Sequence, residues 1–246
     1  MSIKRHIPNL LTLGNLLCGT IATILAIKGD FVGTAILVAT GIGFDFFDGF
    51  VARMLNVQGE LGKQLDSLAD MVTSGVVPGI VMLQLLISAL NIDGSGYFGA
   101  DVYGVTESVL PYLGLLLTLG ACYRLANFNI DTRQSDSFIG IPTPAMTLFV
   151  VSLPLIAKFG NQPLFVDLVS NQYFLIVITL LLTFLMNAEI PLFALKFKTI
   201  GFKENALKYT FLLLSIVLLV VFKFVAIPLI IFTYVALSVI NNLKKV

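Results

Sequence analysis

Apolar runs long enough to cross a bilayer recur along the whole chain, separated by short polar breaks. A hydrocarbon layer about 30 Å thick asks for about 20 apolar residues per helix. Every backbone polar group inside it must be satisfied within the spanning element, so only helices and closed barrels qualify. Eight runs fall at about 9–27, 31–54, 65–90, 107–126, 142–160, 172–188, 207–222 and 224–241. Little more than Lys223 divides the last two, which also read as one broken element. A barrel would alternate apolar and polar residues over short segments; the runs 173–185 and 209–222 do not. The expected fold is all-α, a polytopic integral membrane bundle of about eight transmembrane helices.

Only 12% of the 246 residues are charged, against about 25% in a soluble domain. This excludes a soluble enzyme, a disordered chain and a secreted disulfide scaffold. A net charge of +1 gives no electrostatic case for nucleic acid. Cys18 and Cys122 both lie in apolar runs and read as small buried hydrophobes. His6 is the single histidine and builds no zinc site. The polar start, Met1 to His6, precedes an apolar stretch with no small-residue cleavage site, which predicts a retained first helix.

The few basic residues are unevenly placed. With the N-terminus inside and eight crossings, the inner side receives 12 of 15, among them Lys4, Arg5, Arg53, Lys63, Arg124 and Arg133. The outer side receives Lys28, Lys158 and Lys223. The positive-inside rule therefore predicts N-in, C-in topology in the cytoplasmic membrane. The longest outer loop, near 91–106, is Gly-rich and carries no basic residue.

Acids are concentrated between Asp45 and Asp70. Asp45 and Asp48 are three apart, and Asp66 and Asp70 four apart, so each pair shares a helix face. A short connection makes the two helices antiparallel neighbours and brings four carboxylates toward one volume at the inner boundary. Unpaired, they would repel strongly. Divalent cations relieve this, and oxygen ligands suit Mg²⁺, Mn²⁺ or Ca²⁺. Pairing with Arg53 or Lys63 would account for at most two charges. Gly49, Ala52 and Gly62 adjoin the acids and leave a strip without bulky side chains. Arg53 can clamp a phosphate. Metals beside an arginine are equipment for phosphoryl transfer. Gly41-Ile-Gly43 lacks the third glycine of a dinucleotide fingerprint, and Gly62-Lys63-Gln64 fails the P-loop pattern.

The full string, D-x2-D-G-x2-A-R-x8-G-x3-D-x3-D over Asp45–Asp70, resembles the signature of the CDP-alcohol phosphotransferases. The resemblance implies a membrane enzyme that takes a CDP-linked lipid and an alcohol, releases CMP and needs a divalent metal, two ions of Mg²⁺ or Mn²⁺. It implies Asp45, Asp48 and Asp66 as metal ligands, with Asp70 as general base in contact with a metal. It implies room for the cytidine at Gly49, Ala52 and Gly62, and phosphate contact at Arg53. Ile7-Pro8-Asn9-Leu-Leu-Thr12-Leu-Gly-Asn15 is similar to the family's N-terminal segment, which makes Asn9 and Thr12 nucleotide contacts. Ser67 joins them within Asp66-Ser67-Leu-Ala-Asp70. A homodimer is also implied. The chain then reads as one membrane-embedded domain over 1–246, with a core at about 1–190 and extra C-terminal helices at about 205–241.

Tyr123-Arg124-Leu-Ala-Asn127-Phe-Asn129 and Phe138-Ile-Gly140-Ile-Pro142-Thr143-Pro144-Ala145 resemble the phosphatidylserine synthase branch of that family. There a second Arg often stands where this chain has Asn127. The branch implies CDP-diacylglycerol and L-serine as substrates. A zwitterionic amino acid needs a cation and polar partners, which Arg124, Arg133, Asn127, Asn129 and Thr143 offer on the inner side. Glycerol 3-phosphate and inositol are the alternative acceptors, and a divalent-cation transporter is the alternative of a different class.

Overall fold

The computed structural model describes residues 6–90, 108–131, 139–193 and 201–243. Among them the chain is helical, without a strand, and only an isolated bridge joins Ile139 to Pro191. Helix α1 spans His6–Ile27, α2 Phe31–Met54 and α3 Glu60–Asp70. A π-helical turn, Met71–Val76, joins α3 to α4, Val77–Ala89. A 3₁₀ turn, Leu110–Leu115, leads into α5, Leu116–Ile130. Then follow α6 Thr143–Phe159, α7 Pro163–Val169, α8 Gln172–Asn187, α9 Phe202–Phe222 and α10 Ala226–Leu243.

Among the described residues, five helical segments are long and apolar enough to cross a membrane: His6–Ile27, Phe31–Met54, Glu60–Ala89, Leu110–Ile130 and Asn205–Leu243. The pair α7 and α8, bent by 71°, makes a sixth if it counts as one span. All eight apolar runs form helices among the described residues, and two features account for the lower count. The run near 142–160 yields a helix of only 17 residues. The last two runs join through Lys223, which takes φ 51° and reverses the chain. Phe211 and Tyr234 have ring centroids 5.4 Å apart. A straight helix would separate residues 23 positions apart by about 35 Å, so α9 and α10 form a hairpin.

Local signals set the first hairpin. Gly29 takes φ 75°, the left-handed conformation that ends a helix cheaply. Asp30 then caps α2, its side chain accepting from the Gly33 amide at 3.0 Å. The tight turn packs α1 along α2, and α1 also meets α3, the π turn and α4. Helix α6 forms the centre, with Met146, Phe149, Val150 and Leu153 almost wholly buried. The Glu60–Ala89 span is the most enclosed and Asn205–Leu243 the least, which leaves the C-terminal hairpin its apolar side chains for lipid.

Backbones approach closely where α4 crosses the 3₁₀ turn. A Cβ at Gly114 would lie 2.6 Å from the Leu83 amide nitrogen and 3.0 Å from the Met82 carbonyl carbon. Small residues at such crossings let membrane helices pack. Gly114→Ala is expected to destabilise the bundle by about 1–3 kcal/mol, read as a lower thermal midpoint in detergent.

Candidate active site

The α2–α3 hairpin brings the acids together. Carboxylate oxygens of Asp45, Asp48 and Asp66 lie within 4.8 Å of one another. Asp48 is only 6% exposed. Asp66 Oδ1 is buried and makes no hydrogen bond among the described residues. Three carboxylates this close, one with an orphaned oxygen, have the donor set and spacing for a hard divalent cation. Asp70 stands one turn beyond Asp66, outside that group of three but within electrostatic reach of Asp66 and Asp48.

Pairing with basic residues does not neutralise the cluster. Lys63 Nζ donates instead to the Asn129 carbonyl at 2.5 Å. The Arg53 guanidinium lies along its own helix, 4.0 Å from where a Gly49 Cβ would sit. Among the described residues no ion pair joins Arg53 or Lys63 to the four acids.

Helix α1 closes one side of the site. The Thr12 hydroxyl, buried, donates to Asp48 Oδ2 and also lies 3.1 Å from the Pro8 carbonyl. Asn9 faces Gly62, its Oδ1 3.6 Å from where a Cβ would stand. Among the described residues, its own helix backbone aside, only the Arg53 guanidinium comes within 4 Å of the Gly49 Cβ position, so Gly49, Arg53, Asn9 and Gly62 border open space beside the acids. Ala52 follows on the same helix, half-buried. Gly49→Leu is expected to fill that space, weakening CDP binding about tenfold or more, one lost contact of about 1.4 kcal/mol, as read by titration.

Ser67 and Asn129 meet. Asn129 Nδ2 donates to Ser67 Oγ at 2.8 Å, and Ser67 Oγ donates to the Lys63 carbonyl at 3.2 Å. With the Lys63 ammonium on the Asn129 carbonyl, these three residues tie the end of α5 to α3. Arg124, 7% exposed, donates through Nη1 to the carbonyls of Ile139 and Met186, each at 2.9 Å. It staples α5 to the start of the 139–142 segment and to the end of α8. Arg124 and Asn127 also line a cavity of about 390 Å³, together with Asp131, Ile139, Asn187 and Glu189. Thr143, buried at the start of α6, is not among its walls. Arg133 and the loop near 91–106 lie outside the described residues.

Asn15 was not among the residues expected at the site, yet its Nδ2 donates to Asp70 Oδ1 at 3.0 Å. The signal was a series of polar residues at steps of three, Asn9, Thr12 and Asn15, along an otherwise apolar helix.

Apolar helices around a partly buried carboxylate cluster define an integral membrane protein in which Asp45, Asp48 and Asp66 could hold a divalent cation. Residues 5–185 match the family model described as CDP-alcohol phosphatidyltransferase, and the chain belongs to that family. It is 33% identical over 178 residues to a CDP-diacylglycerol–serine O-phosphatidyltransferase of Bacillus subtilis, covering 69% of this chain and 89% of that one. A protein of the same name from Helicobacter pylori is 34% identical over 176 residues, 71% of this chain and 66% of that one. An archaetidylserine synthase of Methanothermobacter thermautotrophicus is 27% identical over 158 residues, 63% and 60% of the two chains. Family membership makes the chain a transferase and sets the transporter reading aside.

Proposed function

We propose that this protein transfers the phosphatidyl group of CDP-diacylglycerol to L-serine, giving phosphatidylserine and CMP. The observation that carries the proposal is the convergence of Asp45, Asp48 and Asp66 within 4.8 Å on one hairpin, in a chain whose relatives are named for serine as acceptor. The core transferase unit is the first 190 or so residues, with the C-terminal hairpin as an addition. The chain enters and leaves on the cytoplasmic side, where the site faces.

CDP-diacylglycerol slides in from the inner leaflet, its tails in lipid and its cytidine in the space over Gly49, Ala52 and Gly62. Asn9 borders that space, Ser67 and Thr12 brace its edges, and Arg53 holds a phosphate bidentately. Asp45, Asp48, Asp66 and, by its outer oxygen, Asp70 would hold two divalent ions, Mg²⁺ or Mn²⁺. Bound there, the ions would neutralise the diphosphate and the charge that develops on departing CMP. Asp70 accepts the serine hydroxyl proton. The serine oxygen then forms its bond to the lipid-bearing phosphorus, and the bond from that phosphorus to the bridging oxygen breaks, its electron pair leaving with CMP. The cavity beside Arg124 and Asn127 takes the amino acid, its carboxylate toward the guanidinium and its ammonium toward the acidic wall. Arg133, outside the described residues, stays a candidate partner for the serine carboxylate on sequence grounds alone, and a second copy of the chain completes a homodimer.

The test is purified protein with CDP-diacylglycerol and, in parallel, radiolabelled serine, glycerol 3-phosphate and inositol. Label in lipid from serine alone is expected. Label from another acceptor in place of serine would overturn the assignment.

A further inference from the structure

We infer that Asn15 is a positioning residue for Asp70, clamped in place by the π-helical turn that follows that acid. The inference rests on the reading of Asp70 as the base. Asn15 is fully buried, 0% exposed, in the apolar helix α1. A buried amide is costly unless it is bonded, so its partners indicate its use. Its Nδ2 donates to Asp70 Oδ1 at 3.0 Å. An ionised carboxylate only accepts, which settles which end of the amide faces it. Its backbone carbonyl receives the Thr73 hydroxyl at 3.1 Å. Gly41 of α2 makes the room: a Cβ there would lie 2.8 Å from Asn15 Oδ1 and 3.0 Å from Thr73 Cγ2. Three elements thus close on one residue.

The π turn begins at Met71, directly after Asp70. Its wider winding departs from the i→i−4 ladder and turns carbonyls toward neighbouring helices. Thr147 of α6 donates to the Ser74 carbonyl at 3.0 Å, and Thr118 of α5 to the Gly75 carbonyl at 2.9 Å. These two threonines hold the turn in its widened form, and the turn carries Thr73 onto Asn15. The result spends Asp70 Oδ1 on Asn15. Its other oxygen makes no hydrogen bond among the described residues, which leaves it for the metal and the acceptor proton. A base misplaced by about 1 Å can lose about 100-fold in rate, and loss of a group that orients a metal ligand weakens metal binding by about 10–100-fold.

Two variants test this without touching an acid. Asn15→Leu keeps the branched shape, with slightly more bulk, and removes the donor. Gly41→Ala pushes on the amide from the opposite side. Turnover is measured as CMP release with serine, glycerol 3-phosphate and inositol run in parallel, so that failure of the serine reading shows in the wild type and leaves the variants to be compared on whichever acceptor works. Mn²⁺ affinity, read by its EPR signal, and CDP affinity at saturating Mn²⁺ are measured without turnover. The expected result for Asn15→Leu is a fall in kcat of about 100-fold and about tenfold weaker Mn²⁺ binding, with the KM for CDP-diacylglycerol and the CDP affinity within about twofold of wild type. Gly41→Ala shows the same split, smaller. Turnover and Mn²⁺ affinity of Asn15→Leu both within about threefold of wild type would overturn the inference. So would a loss of CDP affinity in step with turnover, which would make Asn15 a packing residue.

Discussion

Replacing Asp70 by Asn is expected to lower CMP release by about 10³-fold, within the range for loss of a positioned base, while CDP binding stays within a few-fold of wild type. The amide is isosteric with the carboxylate and can still accept from Asn15, so the local packing persists. What it lacks is the basicity to take a hydroxyl proton. Asp70 lies outside the close group formed by Asp45, Asp48 and Asp66, so those three remain to hold the nucleotide's metals. Single-turnover rates and a CDP titration separate the two effects. A D70N protein with full activity would remove Asp70 from the role of base.

The second large effect is expected at Asp66. Asp66→Ala deletes the acid whose Oδ1 is buried without a partner and should cost several kcal/mol of charge stabilisation, about 10³-fold in rate. Excess serine should not restore it. The same variant carries an opposite signature in stability. With the metal removed by chelation, the native cluster is three crowded carboxylates, and deleting one relieves repulsion. The chelated variant should therefore melt no lower than chelated wild type, and the added-Mn²⁺ increment in melting temperature should shrink or vanish. Had the acids been half of buried ion pairs, removing one would leave an unpaired cation and cost about 3–5 kcal/mol. A large fall in melting temperature of the chelated variant would contradict the metal reading.

Much of this site was legible because charge is scarce. In a chain with 12% charged residues, four acids at helical spacing between two apolar runs stand out, and the strip of Gly49, Ala52 and Gly62 beside them reads as space. The structure brings Asn9 to Gly62 and Thr12 to Asp48, as a shared face at steps of three allows. Other features had no signal. Met71–Val76 carries nothing in its composition that separates a π turn from an α-helix; its form depends on Thr118 and Thr147, which are distant in sequence. Lys63 neighbours the acids along the chain and is the weaker alternative to a metal as their counter-ion; its ammonium reaches the Asn129 carbonyl across a helix interface instead. Arg124 is expected from sequence as a ligand for an amino acid; what the structure shows is a staple, one of its nitrogens joining two carbonyls from segments far apart. The bends between the spans were the least legible feature. Hydrophobic runs measure apolar length, whereas a reversal at Lys223 and a 71° bend before Gln172 are set by single residues and by packing.

The central claim is that this acid cluster works on a CDP-linked lipid with serine as acceptor. The measurement that tests it most directly is CMP release from CDP-diacylglycerol by purified protein, with and without serine, after chelation and after readdition of Mg²⁺ or Mn²⁺. The account predicts that CMP appears only with both serine and a divalent cation, in equal amount to phosphatidylserine formed. CMP release that ignores serine, or that survives complete removal of divalent cations, would contradict it.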